Sequence, residues 1–388
     1  MHRARRPPPC PLSSRSVDER ALTERLITYD TSTLEGMQAA AGFVKGWLEA
    51  RDVEVTGITH NGRPVLAATV GPQKGPVVVL HGHLDVVPAH AEQFTPRVEG
   101  DRLFGRGAYD MKGGLASMMC ALREVTGQNE VRVRFVCVAD EESEEVEARG
   151  SDFLVDEGYT GDFAITGEPT NMHIGIQAKG VLGMRIEVEG KAAHGSTPWV
   201  GDNAVLKALD VFRQIESLPF ARESSDLFDR PSINLGRIIG GDALNKVPDL
   251  CAIDVDIRYL PGQDARDIRA AVEALPDARV TKVFHRQPAI VDRENLFVRA
   301  LGEAISRVAA PVSERLGVGR DGASDAISFI EAGVPAVECG PVGDGHHGPE
   351  EWVSIRSLGQ YRQTLVEFVK LLPARLSAGD DDRRLKIA

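Results

Sequence analysis

Four short runs of mostly apolar residues constrain this chain most: Pro64 to Val70, Pro76 to Leu80, Val131 to Val138 and Phe163 to Thr166. Their apolar stretches are nearly continuous, the pattern of strands buried on both faces of a mixed or parallel sheet. Between them, Gly114 to Val125 and Ser151 to Glu157 read as helices, so an alternating α/β architecture is predicted. A further helix is predicted from Val17 to Tyr29, with Leu22, Leu26 and Ile27 at helical spacing. Polar or Gly-rich sequence follows three of the strand ends: HGHLD after Val77 to Leu80, ADEE after Phe135 to Val138, and TGEPT after Ala164 and Ile165. Open α/β sheets bind ligands at the carboxyl ends of their strands, so chemistry is expected in these segments.

The style changes from Gln177 to about Arg286. Gly183 to Val188 and Cys251 to Tyr259 alternate apolar and polar residues, as a sheet with one solvated face requires. Amphipathic helices are predicted at Asp202 to Leu218 and Asp264 to Leu275. Strand, helix, strand, strand, helix, strand describes a four-stranded sheet covered by two helices, an α+β, ferredoxin-like unit. After Gln287 the α/β style returns, with helices at Asn295 to Val308, near Ala326 to Glu331 and through Leu365 to Leu371, and a strand at Ala336 to Cys339. The expected division is a leader at 1–16, a domain formed by 17–178 with 287–388, and an inserted domain at 179–286. The leader, MHRARRPPPCPLSSR and the following Ser16, lacks an apolar segment and reads as disordered or as a start-site artefact rather than a secretory signal.

Composition narrows the classes. With 388 residues the chain is long enough for roughly two or three domains at about 150 residues each. Forty-five Lys and Arg against 57 Asp and Glu give a net charge of −12, which argues against nucleic acid as a partner. No run of 18 apolar residues occurs, so no membrane span is expected. Cys10, Cys120, Cys137, Cys251 and Cys339 are scattered and never form a C-x-x-C pair, which suits a reducing cytoplasm. Only ten histidines are present, yet His81, His83, His194, His346 and His347 all sit in short Gly-, Pro- or Asp-flanked segments.

Those segments carry the candidate chemistry. In HGHLDVVP, Asp85 is placed to fix the tautomer of a metal-ligating His83; alternatively, His83 is a loop histidine and Asp85 a turn former. In GRGAYDMKGG, Asp110 stands where a Gly-rich loop meets a helix, and Gly113 and Gly114 would let that helix approach other backbone closely. An N-cap role for Asp110 is the simpler alternative. In ADEESEE, Glu141 and Glu142 reach one site only if the strand has ended. One carboxylate can then bind a metal while its neighbour takes a proton from the water that the metal activates. Glu144, Glu145 and Glu147 read as a solvated helix start. Glu168 in TGEPT closes another strand, and turn chemistry accounts for Gly167 and Pro169 but not for a Glu between them. GDGHHGPEEW adds His346 and His347. Together these segments offer the nitrogen and oxygen ligands suited to zinc or cobalt.

The order of these motifs, over about residues 17 to 372, resembles the dinuclear-zinc amidohydrolase family of acetylornithine deacetylase, succinyl-diaminopimelate desuccinylase, aminoacylase and carboxypeptidase G. The resemblance implies a zinc-exopeptidase-like catalytic domain with a mixed central sheet, and a lid and dimerisation role for the inserted domain. It implies two divalent ions bridged by Asp110, with His83 and Glu168 on one and Glu142 and His347 on the other. His347 is chosen over His346 because the family pattern H-x-P-x-E-hydrophobic matches His347, Pro349, Glu351 and Trp352. Glu141 becomes the general base, Asp85 the orienter of His83, and the Asp110–Met111 peptide bond is expected to be cis. GKAAHGSTP matches the segment that supplies an oxyanion donor from a partner subunit, which points to His194 and a homodimer.

Arg258 in DVDIRYLPG and Asn245 in GGDALNKVP match segments that contact the substrate carboxylate. A surface salt bridge with Asp254 or Asp256 is the alternative for Arg258. Gly322, Ala323 and Ser324 match a substrate-lining loop, where Ala323 stands in place of a hydroxyl residue found in many relatives. The expected activity is hydrolysis of an N-acyl amino acid, with a dipeptidase or carboxypeptidase as the alternative. An inactive scaffold would lack a ligand or the base, and this sequence lacks neither.

Overall fold

The computed structural model describes residues 18–143, 149–309, 317–322 and 324–385. The leader, Glu144, Glu145, Glu147 and Ala323 lie outside these residues. Nine strands form the central sheet. Its order is Val55–His60, Arg63–Val70, Arg132–Val138, Val77–His83, Phe163–Thr166, Ala336–Glu338, Ile174–Ala178 and Ala289–Ile290, with Gly317–Arg320 paired to Ile174–Ala178. Four neighbours, Arg132–Val138, Val77–His83, Phe163–Thr166 and Ala336–Glu338, run parallel. Antiparallel pairs flank them, so the sheet is mixed.

Both faces of the parallel strands are covered, which is the physical reason for their apolar runs. Val78, Leu80, Val133, Phe135, Phe163 and Ile165 pack with Leu26, Val44, Leu115, Leu301 and Phe368. Those partners come from the helices Asp18–Ile27, Leu34–Glu49, Gly113–Glu124, Leu296–Val308 and Ile355–Leu385. The alternate residues Val79, Val136, Val138 and Ala164 face the other way, onto Leu154 of Gly150–Asp156 and Phe329 of Ala326–Glu331. Each such side chain, fully buried, contributes about 1.5–3 kcal/mol. The helix Leu34–Glu49 is an addition to the sequence-based expectation; Thr33 caps it by accepting from the Gly36 N–H.

The strand expected to stop at Leu80 continues to His83, because parallel pairing with Arg132–Val138 persists as far as His83 opposite Val138. His83 is therefore the last residue of a strand and not part of the following loop. A second, antiparallel sheet has the order Ser232–Gly240, Leu250–Tyr259, Gly180–Glu189 and Arg279–Arg286. Its Met184, Ile186, Ile253, Val255 and Ile257 form a core with Val211 and Ile215 of Ala204–Ile215 and Ile268 and Val272 of Ala265–Glu273. The element order is the one read from the sequence. A third small sheet joins Gly343–Asp344, Trp352–Ser354, Arg102–Phe104 and Arg97–Glu99. It frames the loop that carries His346 and His347.

Candidate active site

All four parallel strands end at one edge, and the candidate ligands collect there. His83 Nδ1 lies 2.9 Å from the Asp85 carbonyl oxygen. A carbonyl only accepts, so Nδ1 carries a proton and Nε2 is the nitrogen left to face the neighbouring carboxylates. That Nε2 is buried without a hydrogen-bond partner, 3.3 Å from Asp110 Oδ1 and 3.7 Å from Glu168 Oε1. Asp85 thus orients His83 through its backbone; its carboxylate stands 3.6 Å from Nδ1, beyond hydrogen-bond range. The carboxylate instead accepts the N–H groups of Glu141, at 3.3 Å, and Glu142, at 2.8 Å. One residue therefore ties the His83 strand end to the two glutamates after the neighbouring strand.

Asp110 is not a helix cap. Its Oδ1 has no hydrogen-bond partner, and the helix Gly113–Glu124 begins without a side-chain cap. The Asp110–Met111 peptide bond is cis. Glu351, buried, holds the loop around Asp110: one carboxylate oxygen accepts from Arg106 Nη1 (2.8 Å) and the Gly107 N–H (2.9 Å), the other from the N–H groups of Tyr109 and Asp110 (both 3.0 Å). Arg106 also donates to the carbonyls of His347 and Gly348. Arg106 and Glu351 together fasten the Asp110 loop to the His347 loop. Glu351 appears in the sequence only as part of the pattern that selects His347, and its local context carries no sign of this role.

His347 Nε2 lies 2.9 Å from Glu142 Oε1 and 3.7 Å from Asp110 Oδ2. The two Asp110 oxygens thus face different partners, Oδ1 toward His83 and Oδ2 toward His347. Ligand atoms of His83, Asp110 and Glu142 all fall within 4.8 Å of one another. Burial, and then the Asp110 charge, push the Glu168 carboxyl well above the ordinary carboxylate range, and burial also raises that of Glu141. Burial opposes protonation of His83, but the surrounding carboxylates, Asp110 foremost, hold its pKa well above the ordinary value. Glu141 and Glu168 resist ionisation, and the buried His83 Nε2, Asp110 Oδ1 and Glu168 Oε1, left without hydrogen-bond partners, require a shared positive partner. Divalent cations fit that requirement, and an all-nitrogen-and-oxygen donor set suits them.

A cavity of about 620 Å³ opens over this cluster. Asp110, Glu141, Glu142, Glu168 and His347 line it, as do Arg258, Gly322 and Ser324. Arg149 stands beside Glu141, at 3.6 Å, and donates to buried Asp325 at 2.8 Å. Two expected residues are elsewhere: His194 and Asn245 are exposed and neither lines the cavity. They are adjacent to each other, joined by the Gly195 N–H to Asn245 carbonyl bond of 2.7 Å and the His194–Lys246 bridge.

Imidazoles and carboxylates gathered at the carboxyl edge of the parallel strands form a group that could hold a metal ion. The chain belongs to peptidase family M20/M25/M40, whose model matches residues 79–371, and it is a hydrolase of amide bonds. It is 28% identical over 373 residues to the acetylornithine deacetylase of Proteus mirabilis, covering 90% of this chain and 93% of that protein. With the probable succinyl-diaminopimelate desuccinylase of Staphylococcus aureus (strain MRSA252) it shares 30% identity over 225 residues, 49% of this chain and 54% of that one. The fold matches an M20 family metallo-carboxypeptidase from Sulfolobus solfataricus with a TM-score of 0.74 at 17% identity, over 92% of this chain and 99% of the other.

Proposed function

We propose that this protein releases an amino acid from an N-acyl amino acid, as a metal-dependent amidohydrolase of the deacetylase or desuccinylase type. The buried, unpartnered His83 Nε2, Asp110 Oδ1 and Glu168 Oε1 carry this reading. In it, His83 and Glu168 would hold one ion, Glu142 and His347 would hold a second, and Asp110 would serve both. Zinc suits the donors best, with cobalt as the alternative. Bound divalent metal supplies Lewis acidity toward the acyl carbonyl and lowers the pKa of water.

Glu141 takes a proton from the attacking water on its carboxylate. The water oxygen bonds to the acyl carbon, the carbon–nitrogen bond breaks, and Glu141 returns the proton to the leaving amine. Asp85 holds Glu141 in place through the backbone N–H. His194 Nδ1 accepts from the Ser196 N–H at 3.1 Å, so its proton sits on Nε2. That exposed N–H is a donor for the oxyanion of a neighbouring subunit, with Asn245 beside it. A homodimer joined through 179–286, with 17–178 and 287–388 as the catalytic domain, follows from that reach. Arg258, Gly322 and Ser324 contact the substrate, Arg258 at its carboxylate. Buried Cys120, Cys137, Cys251 and Cys339, none in a disulfide, accord with a cytoplasmic location.

The fold shared with the Sulfolobus solfataricus metallo-carboxypeptidase favours the second reading, a dipeptidase or carboxypeptidase on the same site. Removing metal with a chelator and restoring zinc or cobalt, assayed on acetylornithine, succinyl-diaminopimelate, acetylmethionine and dipeptides, tests both. Activity should vanish and return with metal; activity on an N-acyl substrate that survives complete metal removal would sink the mechanism, and turnover of dipeptides alone would favour the second reading.

A further inference from the structure

Arg149 reaches Glu141 from outside the candidate metal ligands, and a chain of buried polar contacts sets its position. Its Nη1 stands 3.6 Å from Glu141 Oε1 and donates to Asp325 Oδ1 at 2.8 Å. Asp325 is 1% exposed, and its second oxygen, Oδ2, accepts from Ser151 Oγ at 2.5 Å. A hydroxyl has one proton, so Ser151, donating to Asp325, accepts from His81, whose Nε2 lies 2.9 Å away. The contacts therefore run from buried His81 through Ser151, Asp325 and Arg149 to the Glu141 carboxylate.

Asp325 precedes the helix Ala326–Glu331 but makes no side-chain cap there, so its carboxylate serves Arg149 and Ser151 instead. Burial opposes the Arg149 charge, but Asp325 foremost, and then Glu141, hold its pKa above the ordinary guanidinium value. Burial likewise opposes the Asp325 charge, and Arg149 and His81 hold that carboxyl below its ordinary range. A buried ion pair with both carboxylate oxygens satisfied is a fixed support. Glu141 needs one. Asp85 fastens only its backbone N–H, at 3.3 Å, and the Glu141 carboxylate makes no hydrogen bond with the described residues. A base that takes a proton at the water and returns it at the amine must keep its carboxylate aimed. A guanidinium beside one oxygen restrains that carboxylate and leaves the other oxygen for proton transfer.

We infer that Arg149 is a positioning residue for the Glu141 carboxylate, and that Asp325, held by Ser151 and His81, keeps Arg149 in place. This rests on Glu141 acting as the base in the hydrolase reading above. In the zinc-loaded protein, assayed on whichever of acetylornithine, succinyl-diaminopimelate, acetylmethionine and dipeptides it turns over, Arg149→Met should lower kcat about 10- to 100-fold while KM stays within about twofold, the signature of a displaced catalytic group. Arg149→Lys, which keeps the charge, should recover part of the loss. Arg149→Met leaves the buried Asp325 charge unpaired, so Arg149→Met combined with Asp325→Asn, which removes both charges, guards against a folding defect and should be slowed to the same extent.

In a Glu141→Gln background, Arg149→Met should change kcat by less than about twofold, because groups that act as one unit are not additive. A further loss there as large as in wild type, or kcat unmoved by both Arg149→Met and the double variant, would overturn the inference and leave the hydrolase reading intact. Calorimetric zinc affinity should stay near wild type in each variant; affinity falling in step with kcat would mean that Arg149 supports the ligand cluster, and also overturns it. Should no compound be hydrolysed, the hydrolytic reading fails instead. Crystal structures of zinc-loaded wild type and Arg149→Met then decide positioning on its own: a Glu141 carboxylate that swings away in the variant supports it, and one that keeps its place overturns it.

Discussion

His81 and His83 are two residues apart on one strand, and their surroundings drive them in opposite directions. His81 is fully buried, with Nε2 2.9 Å from Ser151 Oγ, and burial pushes its pKa down to about 4. Between that value and the ordinary 6.5, the unfolded chain binds a proton that the folded chain does not. Stability is therefore lost as pH falls from about 6.5 to about 4, and this group adds no slope above that window. The full shift corresponds to roughly 3 kcal/mol. In urea unfolding at pH 7 and at pH 4.5, His81→Gln should lose about 2 kcal/mol less than wild type; equal losses would mean that His81 is not neutral in the fold. HGHLD makes His83 a candidate ligand, but the sequence pattern does not separate a carboxylate contact from a carbonyl contact at Asp85. That distinction depends on where the neighbouring strand's Glu141 and Glu142 arrive.

The helix Gly113–Glu124 shows how one element sets the spacing of the candidate ligands. A Cβ placed on Gly114 would lie 2.4 Å from the Gly167 carbonyl oxygen, the residue before Glu168. Close approach was readable from the Gly113–Gly114 pair; its target was not, because the TGEPT loop lies some fifty residues further along. Helix propensity alone favours alanine by about 1 kcal/mol. A clash with backbone, which cannot swing aside, outweighs this, and Gly114→Ala should destabilise by about 1–3 kcal/mol overall. Because the helix carries Asp110 on its leading loop, the same substitution should weaken zinc binding. Thermal unfolding with a zinc titration checks both, and unchanged stability and affinity would show that the contact yields freely.

At the scale of the molecule, the second sheet presents an unusual surface. Its edge strand Ser232–Gly240 exposes Ile238 and Ile239, and Leu206, Trp199 and Leu244 are exposed on neighbouring segments. Unpaired strand edges with apolar side chains are surfaces that proteins normally cover. A partner subunit covering this face would agree with the exposed His194 and Asn245. Sedimentation should give a dimer for wild type and a shift toward monomer for Ile239→Glu, with kcat falling alongside. A fully active monomer would remove His194 from action across subunits.

The α/β sheet buried on both faces is legible from the apolar runs alone. The sequence also places the His and carboxylate candidates at the strand ends. Local patterns carry this much because burial on two faces leaves an unmistakable apolar run, and polar residues that end such a run face the carboxyl edge. The folded chain alone shows that Glu351 and Arg106 bind two loops together and that Asp85 contacts both a histidine and a pair of glutamates. Apart from the one between His83 and Asp85, each of those contacts joins residues far apart in the chain through cross-strand register or loop packing, which side-chain periodicity along any one segment does not encode.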